Sequence, residues 1–209
     1  MNKKEPVIHS LFPTPIYTRN IDRKFDKKEI NFVKEQKNHS IKNTGNLHTA
    51  DSYILNRSEL KKIKKFLEGC CQNYLEKIIC PKNSIKLYIT QSWLNYTDEK
   101  QYHHAHSHTN SVVSGVLYFN VDKKNDSIKF YAPLTYRQIS PETDENKYNF
   151  WNSDTWVFPV NTGQLLMFPS STTHQVDEKK GSNTRISLSF NTFYEGTLGS
   201  NRFLTELKL

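Results

Sequence analysis

The chain is poor in features that would commit it to a disulfide scaffold, a membrane or a secretory route. Its three cysteines, Cys70, Cys71 and Cys80, are an odd number without scaffold-like spacing, which excludes a disulfide framework. Adjacent Cys70 and Cys71 fall inside a helical pattern and match neither a metal-binding nor a redox pair. No apolar run approaches the ~18 residues of a membrane-spanning helix. The opening Met1-Asn2-Lys3-Lys4-Glu5 has no apolar leader core. A reduced, soluble, cytoplasmic protein is expected. No internal repeat, low-complexity tract or domain break divides the sequence.

Composition sets looser bounds. Apolar residues make up 35% of the 209 and charged ones 24%, a polar balance for a globular chain, but the 12% aromatics can bury enough area for one core. The 29 Lys and Arg against 21 Asp and Glu give a net charge of +8. Much of that excess reads as a solvated helix face at Lys61, Lys62, Lys64 and Lys65. A nucleic-acid partner would rest on net charge alone, because no recognition motif accompanies it. A homodimer stays open.

Periodicity orders the elements. Two prolines keep residues 7–18 extended. Asp26 and Glu29 have capping-box spacing and open a helix through Ile30, Phe32 and Val33 to about Lys37. Residues 38–50 read as a loop and 52–55 as a short strand. Ser58 then serves as N-cap for a helix whose apolar stripe is Leu60, Ile63, Leu67, Cys70, Tyr74 and Ile78, ended by Pro81. That stripe should lie against a sheet. From Ile85 the period becomes two, with Ile85, Leu87, Ile89, Gln91, Trp93 and Asn95 on one face. Further strands are expected over 114–121, 127–131, 154–160, 164–168 and 185–193. Helices first and strands after indicate α+β with an antiparallel sandwich or barrel.

Chemistry concentrates in Tyr102-His103-His104-Ala105-His106-Ser107-His108, where four of the eight histidines fall within six positions. Strand alternation would let His104, His106 and His108 share a face, and His174 is a candidate third ligand from far along the chain. Imidazole suits iron, zinc, copper and nickel alike, so such a set points to a metal site. The last strand sorts into a polar row (Arg185, Ser187, Ser189, Asn191) and an apolar row (Ile186, Leu188, Phe190). If the polar row lines a cavity, Arg185 needs a counter-charge there, which a bound carboxylate would supply by a bidentate pair.

These residues resemble the iron(II)- and 2-oxoglutarate-dependent oxygenases, a family with a double-stranded β-helix (jelly-roll) fold. There an HxD or HxE pair and a distal His hold iron, and a basic residue about ten positions later binds the distal carboxylate of 2-oxoglutarate. His106-x-His108 takes the place of the pair, His174 that of the distal ligand, and Arg185 that of the basic residue. Arg185-Ile186-Ser187 is similar to an RxS pattern. Ser114 to Asn120 resembles a TxxxYLN strand whose Tyr, here Tyr118, contacts the co-substrate. A subgroup from bacteria and marine phages is closer still. It shares an LFPTPIY-like opening, an HxHxxSxxSGVxY stretch, an FPSxxxH stretch and a closing RISxSFN strand, spanning residues 11–193.

The resemblance implies one domain over 1–209: an N-terminal strand and helices (1–83) packed on one sheet, a β-helix core (84–194) and a C-terminal tail (195–209). It implies Fe(II) bound by His106, His108 and His174, and 2-oxoglutarate bound by Arg185, Tyr118 and Ser187. The reaction would be an O₂-dependent hydroxylation of an unidentified substrate with release of succinate and CO₂. His104, Gln91, Trp93, Asn95 and Asn191 are candidates for positions around the metal or facing substrate. The 134–152 connection, with Tyr136, Arg137, Tyr148 and Trp151, is a candidate substrate lid. The departure from the family is His108 in place of a carboxylate. A cupin-like metalloenzyme or a metal-binding module without 2-oxoglutarate is the alternative, although Val112 and Val113 stand where a cupin needs Glu. His104 with His106 offers the same spacing as His106 with His108, so the ligand pair also stays open.

Overall fold

The computed structural model describes residues 6–133 and 141–209. In chain order the elements are β1 (Tyr17–Asn20), α1 (Lys27–Glu35), β2 (Ser40–Lys42), β3 (Leu47–Thr49), α2 (Lys61–Tyr74), β4 (Ile85–Thr97), β5 (His103–His106) and β6 (Val113–Asn120). Then follow β7 (Ser127–Tyr131), β8 (Thr155–Pro159), β9 (Gln164–Pro169), β10 (His174–Val176), β11 (Arg185–Leu198) and β12 (Leu207–Lys208). Strand is therefore the main regular structure of the described residues, with two α-helices ahead of the long strands.

Two antiparallel sheets result. The larger runs β1-β9-β6-β11-β4-β3-β2, with β12 folded back on the end of β11; the smaller runs β5-β10-β7-β8. The larger sheet is apolar on both faces near its centre, and the composition of β9 shows why. Leu165 and Met167 point into a core shared with the helices, while Leu166 and Phe168 point into a second core shared with the smaller sheet. An unbroken apolar run is what a strand covered on both faces requires.

The helices cover one face. The Asp26 carboxylate accepts the Glu29 amide at 3.0 Å and the Glu29 carboxylate accepts the Asp26 amide at 2.9 Å, so the expected capping box starts α1. Buried Glu29 also takes a two-pronged bond from Arg23, at 2.6 and 2.8 Å. The Tyr96 hydroxyl donates to the Val33 carbonyl at 2.6 Å, tying α1 to β4. From α2, Ile63, Leu67, Cys70, Cys71 and Tyr74 enter the helix-side core against Leu87, Leu94, Leu117 and Leu188.

Five expectations are corrected. Residues 38–50 hold the hairpin of β2 and β3, which the polar composition hid because β2 is an edge strand that leaves one side to water. Residues 54–56 form a 3₁₀ turn, with Tyr53 making an isolated bridge to Ser92. Ser58 opens another 3₁₀ turn, so α2 begins at Lys61 without a side-chain cap. After Tyr74 the helix widens into a π turn over Leu75–Ile79; its wider turn places Leu75 in the core and leaves Ile78 exposed. The last strand also runs five residues past Phe193, to Leu198.

Glycine matters most at Gly115, where Phe190 lies across from it on β11. An added Cβ would come within 2.2 Å of the buried Phe190 ring. Gly115→Ala should therefore destabilise the fold by about 1–3 kcal/mol, the usual range for overpacking. Gly69, on the exposed face of α2, has nothing within 4 Å of an added Cβ. Gly69→Ala should stabilise by roughly 0.4–1 kcal/mol through helix propensity and a less free unfolded chain. Urea unfolding of the two variants checks both signs.

Candidate metal centre

Two β-bulges decide which side chains meet. Across β4 and β11, Phe190 pairs with Ser92 and Thr192 with Ile89, so Thr90 and Gln91 together stand opposite Asn191. An extra residue exchanges the faces of a strand beyond it. Ahead of the bulge Ile85, Leu87 and Ile89 pack on the helix side; beyond it Leu94 and Tyr96 do, and Trp93 and Asn95 turn into a cavity between the sheets. The expected single face from Ile85 to Asn95 is thus two faces. Gln91, in the bulge, is exposed and away from the cavity.

The second bulge lies in β5. His106 pairs with His174 and His103 with Val176, so His104 and Ala105 together oppose Gln175. His103 and His106, three apart, both line the cavity, and His104 does not. Simple alternation predicted the reverse. The Nδ1 atom of His104 is buried without a hydrogen-bond partner among the described residues. His108 follows the strand, held by its own amide on the Ser170 carbonyl at 2.9 Å.

His106, His108 and His174 each bring a ring nitrogen to one point, all within 4.8 Å of one another, a spacing that could hold a metal ion. The alternative pair of His104 and His106 does not form this group. The polar partners of two rings favour ligation. His106 Nδ1 lies 2.7 Å from the His104 carbonyl and His174 Nδ1 lies 3.0 Å from the Thr172 carbonyl. A carbonyl can only accept, so each Nδ1 carries the proton and each Nε2 keeps its lone pair. Burial, reinforced by the neighbouring imidazoles, pulls His108 down to about 4 and His174 to about 3, and lowers His106 as well. At neutral pH these rings are uncharged, the form that binds a metal.

The polar row of β11 faces the same cavity. Arg185 is 2% exposed. Its one hydrogen bond is a long one of 3.4 Å from Nη2 to the Thr97 hydroxyl, and its Nε and Nη1 are buried without partners among the described residues. Burial lowers the pKa of this guanidinium, opposed by Tyr118 and Asp126. Tyr118 is buried beside it, its hydroxyl pushed upward by desolvation. Ser187, Ser189 and Asn95 complete that wall, with Asn95 donating to Ser189 at 2.9 Å and its own Oδ1 left unpaired. Asn191 lies outside the lining and accepts the Ser114 hydroxyl at 2.8 Å. Trp93 tilts against His108, ring centres 5.9 Å apart. Val116, Ile128, Phe168 and Val176 make the remaining wall apolar.

His103 is the lining residue that alternation missed, and nothing in the sequence marks a bulge at His104-Ala105. Of the expected lid, Tyr136 and Arg137 lie outside the described residues. Trp151 lines a separate groove with Phe12, Phe150 and Trp156, away from the histidines.

Comparison with known proteins follows the same strands. A family model described as "Putative 2OG-Fe(II) oxygenase" matches residues 91–191, from the bulge of β4 to the polar row of β11. No curated protein matches the sequence. Among solved structures, HygX from Streptomyces hygroscopicus, crystallised with nickel, 2-oxoglutarate and hygromycin B, superposes with a TM-score of 0.58 at 9% identity, covering 86% of this chain and 82% of its own. The epimerase SnoN, in complex with Fe³⁺, α-ketoglutarate and nogalamycin RO, gives 0.60 at 11% identity over 93% of this chain and 86% of its own. A Pseudomonas putida prolyl-4-hydroxylase gives 0.55 at 11% identity over 85% and 92%. At such identities the likeness is one of fold. The stretch that is similar to the 2OG-Fe(II) oxygenases, residues 91–191, is the one whose strands build the cavity.

Proposed function

We propose that the chain is a non-haem iron, 2-oxoglutarate-dependent dioxygenase that hydroxylates a substrate yet to be identified, in a single domain whose two sheets form a double-stranded β-helix. The observation that carries this reading is Arg185, a buried cation with two unpaired nitrogens in the cavity where three histidines converge. Leaving such a group unpaired is costly. A dicarboxylate chelated at the metal and reaching Arg185 would supply the missing acceptors. The buried carboxylate Asp126 is paired with buried Lys179 at 3.5 Å, and no ion pair joins it to Arg185 among the described residues.

His106, His108 and His174 would hold Fe(II), and Arg185, Tyr118 and Ser187 the co-substrate. Bound iron with 2-oxoglutarate and O₂ supplies the oxidation, releasing succinate and CO₂. The chain's own residues bind and orient. Carbonyls of His104 and Thr172 keep two Nε2 lone pairs aimed at the centre, and the guanidinium fixes the far carboxylate in a planar two-point contact. Val116, Ile128, Phe168 and Val176 keep water out. Trp93 and Asn95, on the β4 side, are placed to face substrate. With three neutral imidazoles and no carboxylate among the ligands, the 2-oxoglutarate dianion would supply the negative charge at the metal. The cupin-like alternative has no carboxylate in this group.

Anaerobic titration of the Fe(II)-loaded protein with 2-oxoglutarate should produce the visible charge-transfer band of a chelated keto acid. Metal uptake without that band, and without heat of 2-oxoglutarate binding, would favour the alternative. His174→Ala should weaken Ni(II) binding by more than about 100-fold, beyond the 10- to 100-fold usual for residues that only support a ligand. His104→Ala should keep the metal, and calorimetry distinguishes the two. Arg185→Ala should weaken 2-oxoglutarate by about 30-fold or more, the ~2 kcal/mol minimum for truncating one partner of a buried charged pair. Its Ni(II) affinity should stay within about twofold; equal loss of both ligands would contradict the assigned role.

A further inference from the structure

The four histidines of residues 103–108 are not equivalent, and their hydrogen-bond partners sort them. His106 gives its Nδ1 proton to a backbone carbonyl and presents a lone pair to the cavity. His103 is arranged the other way round. Its Nε2 lies 3.4 Å from the Asn43 side-chain nitrogen. That same nitrogen donates to the Asn46 Oδ1 at 3.1 Å. An amide nitrogen can only donate, so His103 Nε2 is the acceptor and the ring proton sits on Nδ1. The hydrogen bond found for the His103 ring among the described residues is the one at Nε2, which leaves Nδ1–H available on a ring that lines the cavity.

The position of the ring is built as carefully as its tautomer. The Asn43–Asn46 turn joins β2 to β3 in the larger sheet and leans on the smaller one. The Tyr102 amide donates to the Gly45 carbonyl at 3.0 Å, and an added Cβ at Gly45 would come 2.6 Å from the Tyr102 carbonyl. The β5 bulge turns His103 inward, where it stacks on His106 with ring centres 4.4 Å apart and planes 24° apart. It pairs with Val176 on β10 and lies within electrostatic reach of both His174 and Arg185. It lines the same cavity as His106, His108, His174 and Arg185.

We propose that His103 is a fourth protein contact on the 2-oxoglutarate dianion, giving its Nδ1 proton to a carboxylate or keto oxygen, with Asn43 as the residue that sets its tautomer. This rests on the proposed function. One histidine of the cluster thus offers a proton to the co-substrate while its neighbour three residues on offers a lone pair to the metal.

Calorimetric titration of the full chain, first with Ni(II) and then with 2-oxoglutarate, tests the assignment without turnover. His103→Asn retains a donor near the Nδ1 position, His103→Gln moves it to the Nε2 position, and His103→Phe keeps the stacking plane with no donor. The Asn variant should bind 2-oxoglutarate within about threefold of wild type, and the Gln and Phe variants about tenfold or more weakly, as expected for losing a hydrogen bond to a charged group. All should take up Ni(II) alike. The proposal is overturned if the three variants bind 2-oxoglutarate like wild type, if the Asn variant falls with the others, or if Ni(II) affinity falls in parallel. Should the Phe variant fail to fold, the Asn and Gln pair decides alone. Wild-type protein that binds Ni(II) and no 2-oxoglutarate would instead bring down the proposed function, before any variant is compared.

Discussion

The alternation of β11 is the constraint on which the rest of the architecture depends. Its odd positions from Arg185 to Ser189 are polar and its even positions from Ile186 to Phe190 apolar, and a strand sends these rows to opposite faces. The apolar row closes the core beneath the helices, while the polar row enters the cavity opposite the histidines. β11 pairs with β4 on one side and β6 on the other, so it fixes the register of both neighbours. A slip of one residue would bury Ser187 and Ser189 under the helices and expose Leu188 to the cavity.

Polar groups inside this fold fall into two kinds. Some are closed upon themselves. The Ser114 and Ser111 hydroxyls lie 2.8 and 2.7 Å from that of Ser170, and Thr192 donates to the Val113 carbonyl at 2.6 Å. This chain of hydroxyls ties β6 and β11 to the loop carrying Ser170, which in turn positions the His108 backbone. Others are left open among the described residues: Arg185 Nε and Nη1 and Asn95 Oδ1 in the cavity wall, and Asn46 Nδ2 and His104 Nδ1 outside it. A buried group without a partner destabilises the fold, and such groups gathered on one wall are expected where a ligand completes the hydrogen bonding.

Histidine chemistry in the cavity is set by what holds the far side of each ring. A backbone carbonyl makes a ring a lone-pair donor toward the centre, and a side-chain amide nitrogen makes it a proton donor. Burial keeps these rings neutral, so the partner decides the behaviour; His103 is pushed down to about 2. The two kinds of ring come from one five-residue stretch, His103 through Ser107, which holds both the proposed metal-directed ring and the proposed anion-directed one.

Much of this was readable in the residues themselves. The capping box at Asp26 and Glu29, the α2 stripe from Leu60 to Tyr74, the two rows of β11 and the motifs around His106, His174 and Arg185 are local patterns. Each depends on spacing within a few residues, which sequence preserves directly. What only the tertiary structure decided was parity. An extra residue at Thr90-Gln91 turned Trp93 and Asn95 from the helix side to the cavity, and another at His104-Ala105 exchanged His104 for His103. A bulge is a mismatch between two paired strands, so it is a property of the pair and leaves no mark in either segment alone.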